Sequence, residues 1–267
     1  MSPEDLWHTA KIEEIREITA NLRIFSVRFG ETLQNYIPGR FCSMRVGDSH
    51  GRPYSIVSLK DQGTLAELFI ERIPCDKDTE ESLTPKLWRC RKGDMVLIKK
   101  KAGGDFVLKH EAFHHYNHIM VATVTGISPI MAILREYLPR ADDPNRFFVF
   151  VGASYHDELA YHSELLNLSA VFPDRLAYIA TVSRPNEPRN APWVHDPDNG
   201  LEVRRVNEVL RTFLRPNGTT VFGPDINQGT AILYACGNGG MIEYVREHYA
   251  SKEIEGRRRW TFVHEAF

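Results

Sequence analysis

The sequence predicts a two-domain protein, a small antiparallel β barrel or sandwich followed by an α/β domain on a parallel, doubly wound sheet. Three observations carry this. The 267 residues suit one large domain or two of ordinary size, and two is the better match. As far as about Lys101 the apolar segments are short, β-branched and broken by turn residues, the rhythm of antiparallel strands. Thereafter runs that read as buried strands alternate with amphipathic stretches, which implies crossover helices and a parallel sheet.

In the first half, strands are expected at Trp7–Glu17, Leu22–Phe29, Arg40–Val46, Tyr54–Ser58, Leu65–Ile73 and Met95–Lys99. One helix, Thr79–Arg89, is expected there, entered through Asp78 because acidic groups suit a helix amino end. In the second half, strands are expected at His118–Thr123, Phe147–Gly152, Leu176–Ser183 and Ala231–Cys236. Helices are expected near Pro129–Leu138, Glu158–Leu168, Val203–Leu214 and Met241–Tyr249. The join falls between Gly103 and Tyr116, giving domains 1–110 and 111–267. Pro185–Gly200, rich in Pro, Asn and Asp, reads as an exposed loop.

Lys plus Arg number 33 against 35 Asp plus Glu, a formal charge of -2, so no global field points to nucleic acid or an anionic membrane. The amino terminus has no secretion-signal pattern and no run approaches a bilayer-spanning helix, so a cytoplasmic protein is expected. Cys42, Cys75, Cys90 and Cys236 are scattered without a Cys-x-x-Cys pair, which excludes the usual zinc and iron–sulfur patterns and leaves reduced thiols as the expectation. His110, His114 and His118 recur at helical spacing, but they sit at the domain join, and no metal site is expected. Ser154 follows a strand without the second glycine of a nucleophile elbow, so hydrolase chemistry is not expected.

Three stretches carry chemistry. Arg52-Pro53-Tyr54-Ser55-Ile56-Val57-Ser58 sets a guanidinium able to fork onto phosphate two residues from a ring able to stack on a flat heterocycle, with a hydroxyl next to it that could bond a ring nitrogen. That order suggests a flavin site. On a regular strand Ser55 would face away from Arg52 and Tyr54 unless the strand twists. Thr123-Val124-Thr125-Gly126-Ile127-Ser128-Pro129 leads from a strand into a helix, where free amides and the helix dipole can meet phosphate; it lacks the G-x-G-x-x-G fingerprint. Ala235-Cys236-Gly237-Asn238-Gly239-Gly240-Met241 repeats the arrangement after a later strand, and open sheets collect ligands at such carboxyl ends.

In this order the pieces resemble the ferredoxin–NADP reductase family over essentially the whole chain. Arg52-Pro53-Tyr54-Ser55 looks like its R-x-Y-S flavin strand, Thr123–Pro129 like its T-G-T-G-I-A-P pyridine-nucleotide loop, and Cys236-Gly237-Asn238 like its C-G-x nicotinamide segment. The ending Val263-His264-Glu265-Ala266-Phe267 is similar to the family's, where an acid precedes a terminal aromatic. The resemblance implies an FAD-binding antiparallel barrel, then an NADP-binding domain, with hydride passing between nicotinamide and flavin.

By resemblance, Arg52 and Pro53 lie at the FAD pyrophosphate, Tyr54 stacks on the isoalloxazine and Ser55 bonds its reactive nitrogen. Glu71 and Ile73 lie along the flavin, Leu83 and Thr84 supply a second pyrophosphate contact, and Phe267 covers the other flavin face. Ser55, Cys236 and Glu265 border hydride transfer. Thr123, Thr125, Gly126, Cys236, Gly237 and Asn238 receive the nucleotide, and Arg184 resembles the family's 2′-phosphate arginine, with Arg204 or Arg205 as a second clamp or a solvated helix charge. NADPH is favoured, with NADH the alternative. Two departures stand out: Val124 occupies a position commonly glycine, which calls for a wider or differently bent loop, and the Pro185–Gly200 insertion is untypical. The implied partner is ferredoxin or flavodoxin acting on a monomer, with Lys99–Lys101 or Arg257–Arg259 steering an acidic carrier or simply forming a solvated face. Two rival readings are a reductase component of an oxygenase or other redox system, and a flavin-free relative that only docks a partner.

Overall fold

The computed structural model describes residues 6–72, 83–108, 117–194, 201–202, 204–214, 219–227, 229–250 and 260–266. The chain forms two compact units, Met1–Val107 with Ser128–Glu136, and Leu108–Ile127 with Tyr137–Phe267.

In the first unit, β1 (Trp7–Thr19), β2 (Leu22–Phe29), β3 (Phe41–Arg45), β4 (Arg52–Lys60) and β5 (Leu65–Glu71) precede helix α1 (Leu83–Arg89) and β6 (Met95–Lys99). The strands close into a barrel in the order β1-β2-β5-β4-β3-β6, every pairing antiparallel, with β6 returning to β1. Closure removes unpaired edges, and alternation fills the interior: Ile12, Phe25, Val27, Met44, Ile56, Leu68, Ile70, Val96 and Ile98 are buried in one cluster. Leu83 and Leu87 of α1 enter the same cluster, so this short helix is held by its apolar face rather than by intrinsic propensity. Of the expected helix Thr79–Arg89, residues 79–82 lie outside the described residues, as does the Asp78 entry.

Helix α2 (Ile127–Tyr137) follows the second unit's first strand in sequence, yet Ser128–Glu136 belongs to the first unit. There Arg135 Nη1 meets Glu67 Oε1 of β5 at 3.0 Å, and Ile133 lies beside Gly39. Gly39 has φ +101°, and a Cβ there would stand 1.9 Å from the Phe106 carbonyl oxygen, so only glycine fits.

The second unit runs β7 (Asn117–Thr123), β8 (Arg146–Ala153), α3 (His162–Val171), β9 (Leu176–Val182), α4 (Ala191–Val194), β10 (Leu201–Glu202), α5 (Val206–Phe213), β11 (Thr219–Thr220), β12 (Gly223–Asn227), β13 (Ala231–Gly237), α6 (Gly239–Val245) and β14 (Thr261–Ala266). A parallel sheet has the order β10-β9-β8-β7-β13-β14, while β11 and β12 pair separately. On one face Ile119, Val121, Phe148, Phe150, Leu233 and Ala235 pack with Val206, Val209 and Leu210 of α5 and Ile242 and Val245 of α6. The chain steps outward from β7 through β8, β9 and β10, then returns to the other side of β7 as β13 and β14. The strand order therefore reverses between β7 and β13, where ligands of open α/β sheets collect.

Two expectations need correction. The sequence reading placed no strand at Thr261–Ala266, but β14 pairs in parallel with β13 from Ile232–Thr261 to Gly237–Ala266. As a half-exposed edge strand it shows little of the burial contrast that marks strands in sequence. Of Pro185–Gly200, residues 195–200 lie outside the described residues; most of the described part is exposed, as expected, but Pro188–Asn190 forms a 3-10 turn leading into α4, and Asn190 is fully buried. Its polar groups are satisfied by backbone, so its polarity misreports its position. Among the described residues no helix is long and apolar enough to cross a membrane.

Candidate functional site

In the barrel unit, β4 presents the Arg52–Ser58 stretch with a graded burial that a regular strand would not give. Arg52 and Pro53 are exposed, Tyr54 is half-buried, and Ser55, Ile56, Val57 and Ser58 are all buried. A register irregularity between Ile56 and Ser58 breaks the alternation and locally raises the twist that Ser55 was expected to need. Tyr54 and Ser55 pair across to Cys42 and Phe41 of β3.

The Tyr54 hydroxyl is buried with no hydrogen-bond partner among the described residues, and burial pushes its phenol up, so it stays protonated as a donor. Arg52 has no carboxylate partner among the described residues. An orphaned buried hydroxyl beside an uncompensated guanidinium is a donor set suited to a phosphorylated ligand carrying a flat ring. Cys42 is fully buried, its thiol pushed up to about 12 by burial, so it is a packing residue.

Of the other residues assigned to this half, Glu71 ends β5 exposed, while Leu83 is 1 % exposed and packs into the barrel core. Leu83 can therefore face a ligand only through its backbone. Thr84 is buried beside it. Ile73 and Phe267 lie outside the described residues, as do Cys75, His110 and His114.

In the second unit the two ligand loops interlock at the switch point. Gly126 follows β7, and a Cβ placed on it would stand 2.1 Å from the Cys236 carbonyl oxygen and 2.8 Å from the Gly237 nitrogen. Gly237, at φ +121°, would put a Cβ 2.3 Å from Thr123 Oγ1. Each glycine admits the other loop's backbone. The Asn238 amide then donates to Thr123 Oγ1 at 2.7 Å, a bond between residues 115 apart in sequence.

Asn238 Oδ1 accepts from the Gly240 and Met241 amides at 2.9 and 3.2 Å, capping α6, so the side chain already occupies that helix start. Val124 has φ +46°, the left-handed region that a β-branched residue strongly disfavours. The expected departure at this position is thus a strained turn opening the Val124–Gly126 3-10 segment. Cys236 is fully buried; burial first and the nearby Glu265 carboxylate second hold its thiol well above the ordinary value, so it is neutral at neutral pH. Its register neighbours are Ala122 on β7 and Glu265 on β14.

At the carboxyl ends of β8 and β9 the chain assembles a second group. Arg184 is exposed, and its Nη1 donates to the Tyr155 hydroxyl at 2.9 Å. Arg189 lies with its guanidinium carbon 4.1 Å from the Tyr155 ring centre and forks onto Asp157 at 2.7 and 2.9 Å. Arg204 and Arg205 are exposed at the entry to α5, with the Arg204 backbone bonded to Thr181. Tyr155, Asp157, Arg189, Asn190 and Trp193 were missed by sequence reading, because no periodicity or motif joins the residues after β8 to those after β9. Of the three spaced histidines His118 alone is described, a core residue with Nε2 2.7 Å from Asn145 Oδ1 and its ring stacked on Phe147, and among the described residues no cluster suits a metal. Gly152, before Ser154, is needed for packing, since a Cβ would stand 2.8 Å from Val206 of α5.

Comparison with known proteins agrees with this geometry. The model of the oxidoreductase NAD-binding domain matches residues 120–247. The flavodoxin/ferredoxin–NADP reductase of Escherichia coli is 29 % identical over 240 residues, covering 88 % of this chain and 87 % of that one. Methane monooxygenase component C of Methylosinus trichosporium is 28 % identical over 181 residues, 67 % of this chain, and the match spans only 47 % of that longer protein. In fold, a ferredoxin NADP+ reductase from Neisseria gonorrhoeae, solved with bound FAD and NADP, superposes with a TM-score of 0.72 at 20 % identity, covering 98 % of both chains. A closed antiparallel barrel, a parallel sheet with loops interlocked at its switch point, and a match along 87 % of the Escherichia coli reductase agree: the chain is similar in sequence and fold to the flavodoxin/ferredoxin–NADP reductases.

Proposed function

We propose that the protein is an FAD-containing oxidoreductase that takes hydride from NADPH and passes electrons singly to a ferredoxin- or flavodoxin-like carrier. The observation that carries the flavin assignment is β4, where exposed Arg52 and the unpartnered buried hydroxyl of Tyr54 stand beside buried Ser55. In this reading residues 1–110 bind FAD and residues 111–267 bind the nucleotide. When bound, the flavin supplies the two-electron to one-electron conversion.

The chain's own residues bind and orient. Arg52 holds the pyrophosphate, Tyr54 stacks and donates its hydroxyl, and Ser55 meets the ring nitrogen that exchanges hydride. The Gly126 and Gly237 interlock fixes where the nicotinamide rests, Cys236 closes that position as a neutral apolar group, and Glu265 on the adjacent strand lines it. Arg184, exposed and without a carboxylate partner among the described residues, takes the ribose 2′-phosphate. Lys99 and Arg45 over the Trp7 ring, with Lys101 exposed nearby, supply cations that attract an acidic carrier.

The test is an absorbance spectrum of the purified protein followed by anaerobic titration with NADPH and with NADH. A yellow protein bleached preferentially by NADPH is expected; a colourless protein that takes up no FAD overturns the proposal. A second reading, the reductase component of an oxygenase, is favoured by the likeness to methane monooxygenase component C. Single-turnover transfer to purified ferredoxin and flavodoxin separates the two.

A further inference from the structure

The segment after β9 is fastened onto the segment after β8 by three kinds of contact. Asn190, fully buried, accepts from the His156 amide at 2.9 Å and donates to the carbonyls of Ser154 at 2.9 Å and Arg184 at 2.8 Å. One side chain therefore ties both strand exits together through their backbones. Trp193 stacks on His156 at 5.0 Å and meets His162 edge-on at 4.7 Å, while His162 Nδ1 reaches the Tyr178 hydroxyl at 3.0 Å. Arg189 grips Asp157 with two hydrogen bonds and lies over Tyr155.

Tyr155 thereby carries a guanidinium from each of two residues, Arg189 at 4.1 Å and Arg184 at 5.3 Å from the ring centre, with Arg184 also bonded to its hydroxyl. The two cations differ in one respect. Arg189 is neutralised by Asp157, whereas Arg184 has no carboxylate partner among the described residues. A dianionic phosphate arriving at Arg184 thus meets one free cation and one already paired with an anion.

We propose that Asp157 and Arg189 set the nucleotide preference of this protein: Asp157 holds Arg189 in an ion pair that braces Tyr155 and aims Arg184, and in doing so withholds the second positive charge from the 2′-phosphate. The pair is a specificity determinant, and Asn190 and Trp193 are positioning residues that keep it in place. This rests on the reading of Arg184 as the 2′-phosphate ligand.

The consequence is directional. Asp157→Asn keeps the shape and a hydrogen-bonding oxygen for Arg189 but removes the competing charge, so affinity for a 2′-phosphate rises. A purely structural pair would give the opposite sign, because breaking it would loosen Arg184. Arg189→Met removes the brace and lowers that affinity.

The experiment is calorimetric titration of the wild-type holoprotein, Asp157→Asn and Arg189→Met with adenosine 2′-monophosphate and, separately, adenosine 5′-monophosphate. The wild type is expected to prefer the 2′-phosphate. Asp157→Asn should tighten it about threefold to tenfold, the range of a single screened charge, and Arg189→Met should weaken it by a similar factor. The 5′-monophosphate should move in none of them. Unchanged or weakened 2′-phosphate binding in Asp157→Asn, or parallel shifts for both ligands, overturns the inference while leaving Arg184 as the phosphate ligand. A wild type without preference for the 2′-phosphate instead sinks the NADP assignment itself.

Discussion

Replacing Gly126 by alanine tests whether the two nucleotide loops are locked to each other. The new methyl would start 2.1 Å from the Cys236 carbonyl oxygen, 2.5 Å from its carbonyl carbon and 2.8 Å from the Gly237 nitrogen, all backbone atoms. Ordinary contact begins at 3.4 Å, so the loops must part by more than about 1 Å. The Cys236 end of β13 cannot absorb this locally, because it is fully buried and paired with β7 on one side and β14 on the other.

Overpacking of this kind costs about 1–3 kcal/mol, which lowers the melting temperature by about 2–4 °C for each kcal/mol in a chain of this size. A 1 Å displacement of a bound reactant lowers its reaction rate by about 100-fold. Thermal melts followed at the flavin and protein absorbance bands, with stopped-flow reduction by NADPH, read both effects. FAD content should be unchanged, since the barrel residues are untouched. Wild-type melting together with wild-type reduction rates in Gly126→Ala would refute the interlock.

Three further outcomes follow from single side chains. Tyr54→Phe removes a buried hydroxyl that has no partner among the described residues, so the apoprotein should melt no lower than wild type while FAD affinity, measured by fluorescence quenching, falls about tenfold, equivalent to about 1.4 kcal/mol. Val124→Gly relieves a φ of +46° worth about 1–3 kcal/mol and adds about 0.5–1 kcal/mol of chain entropy, so denaturant unfolding should show a neutral to stabilising change; a loss above about 1 kcal/mol would contradict the strain. Burial lowers the His162 pKa below its ordinary 6.5, so the unfolded chain takes up a proton there that the folded chain refuses. Stability is unaffected above about pH 6.5 and falls as the pH drops below it. His162→Phe should flatten that slope in melts between pH 7 and 5 without abolishing it, because burial and Arg246 lower His264 in the same sense.

The strands of both halves were legible because burial alternates or persists along them, as in β2 and β8, and a two-residue or continuous apolar period is a local property. Barrel closure, rather than a sandwich, was expected only through the family resemblance, since it depends on β6 finding β1 more than seventy-five positions away in the chain, a pairing that neither strand encodes alone. The residues proposed to bind ligands divide in the same way. Arg52, Tyr54, Ser55, Thr123, Gly126 and Gly237 stood out because the chemistry needs those types at close spacing. Why Gly126 and Gly237 must both be glycine could not be read, because each makes room for the other's loop across the sheet.

The burial of Asn190 within the otherwise largely exposed Pro185–Val194 segment has the same origin and a wider consequence. Polar composition marks a loop as exposed only when its polar groups need water, and Asn190 meets its needs with three backbone partners instead. A segment held in this way is ordered by the strand exits it bonds to, and its exposed arginines are held by Tyr155 and Asp157. Asn190→Ala, which removes the acceptor for the His156 amide and the donor to the Ser154 and Arg184 carbonyls, and Asn190→Asp, which keeps the acceptor but turns a second oxygen on those carbonyls, should both lower 2′-phosphate affinity. Wild-type affinity in both would mean that the backbone of this segment holds its course without the amide.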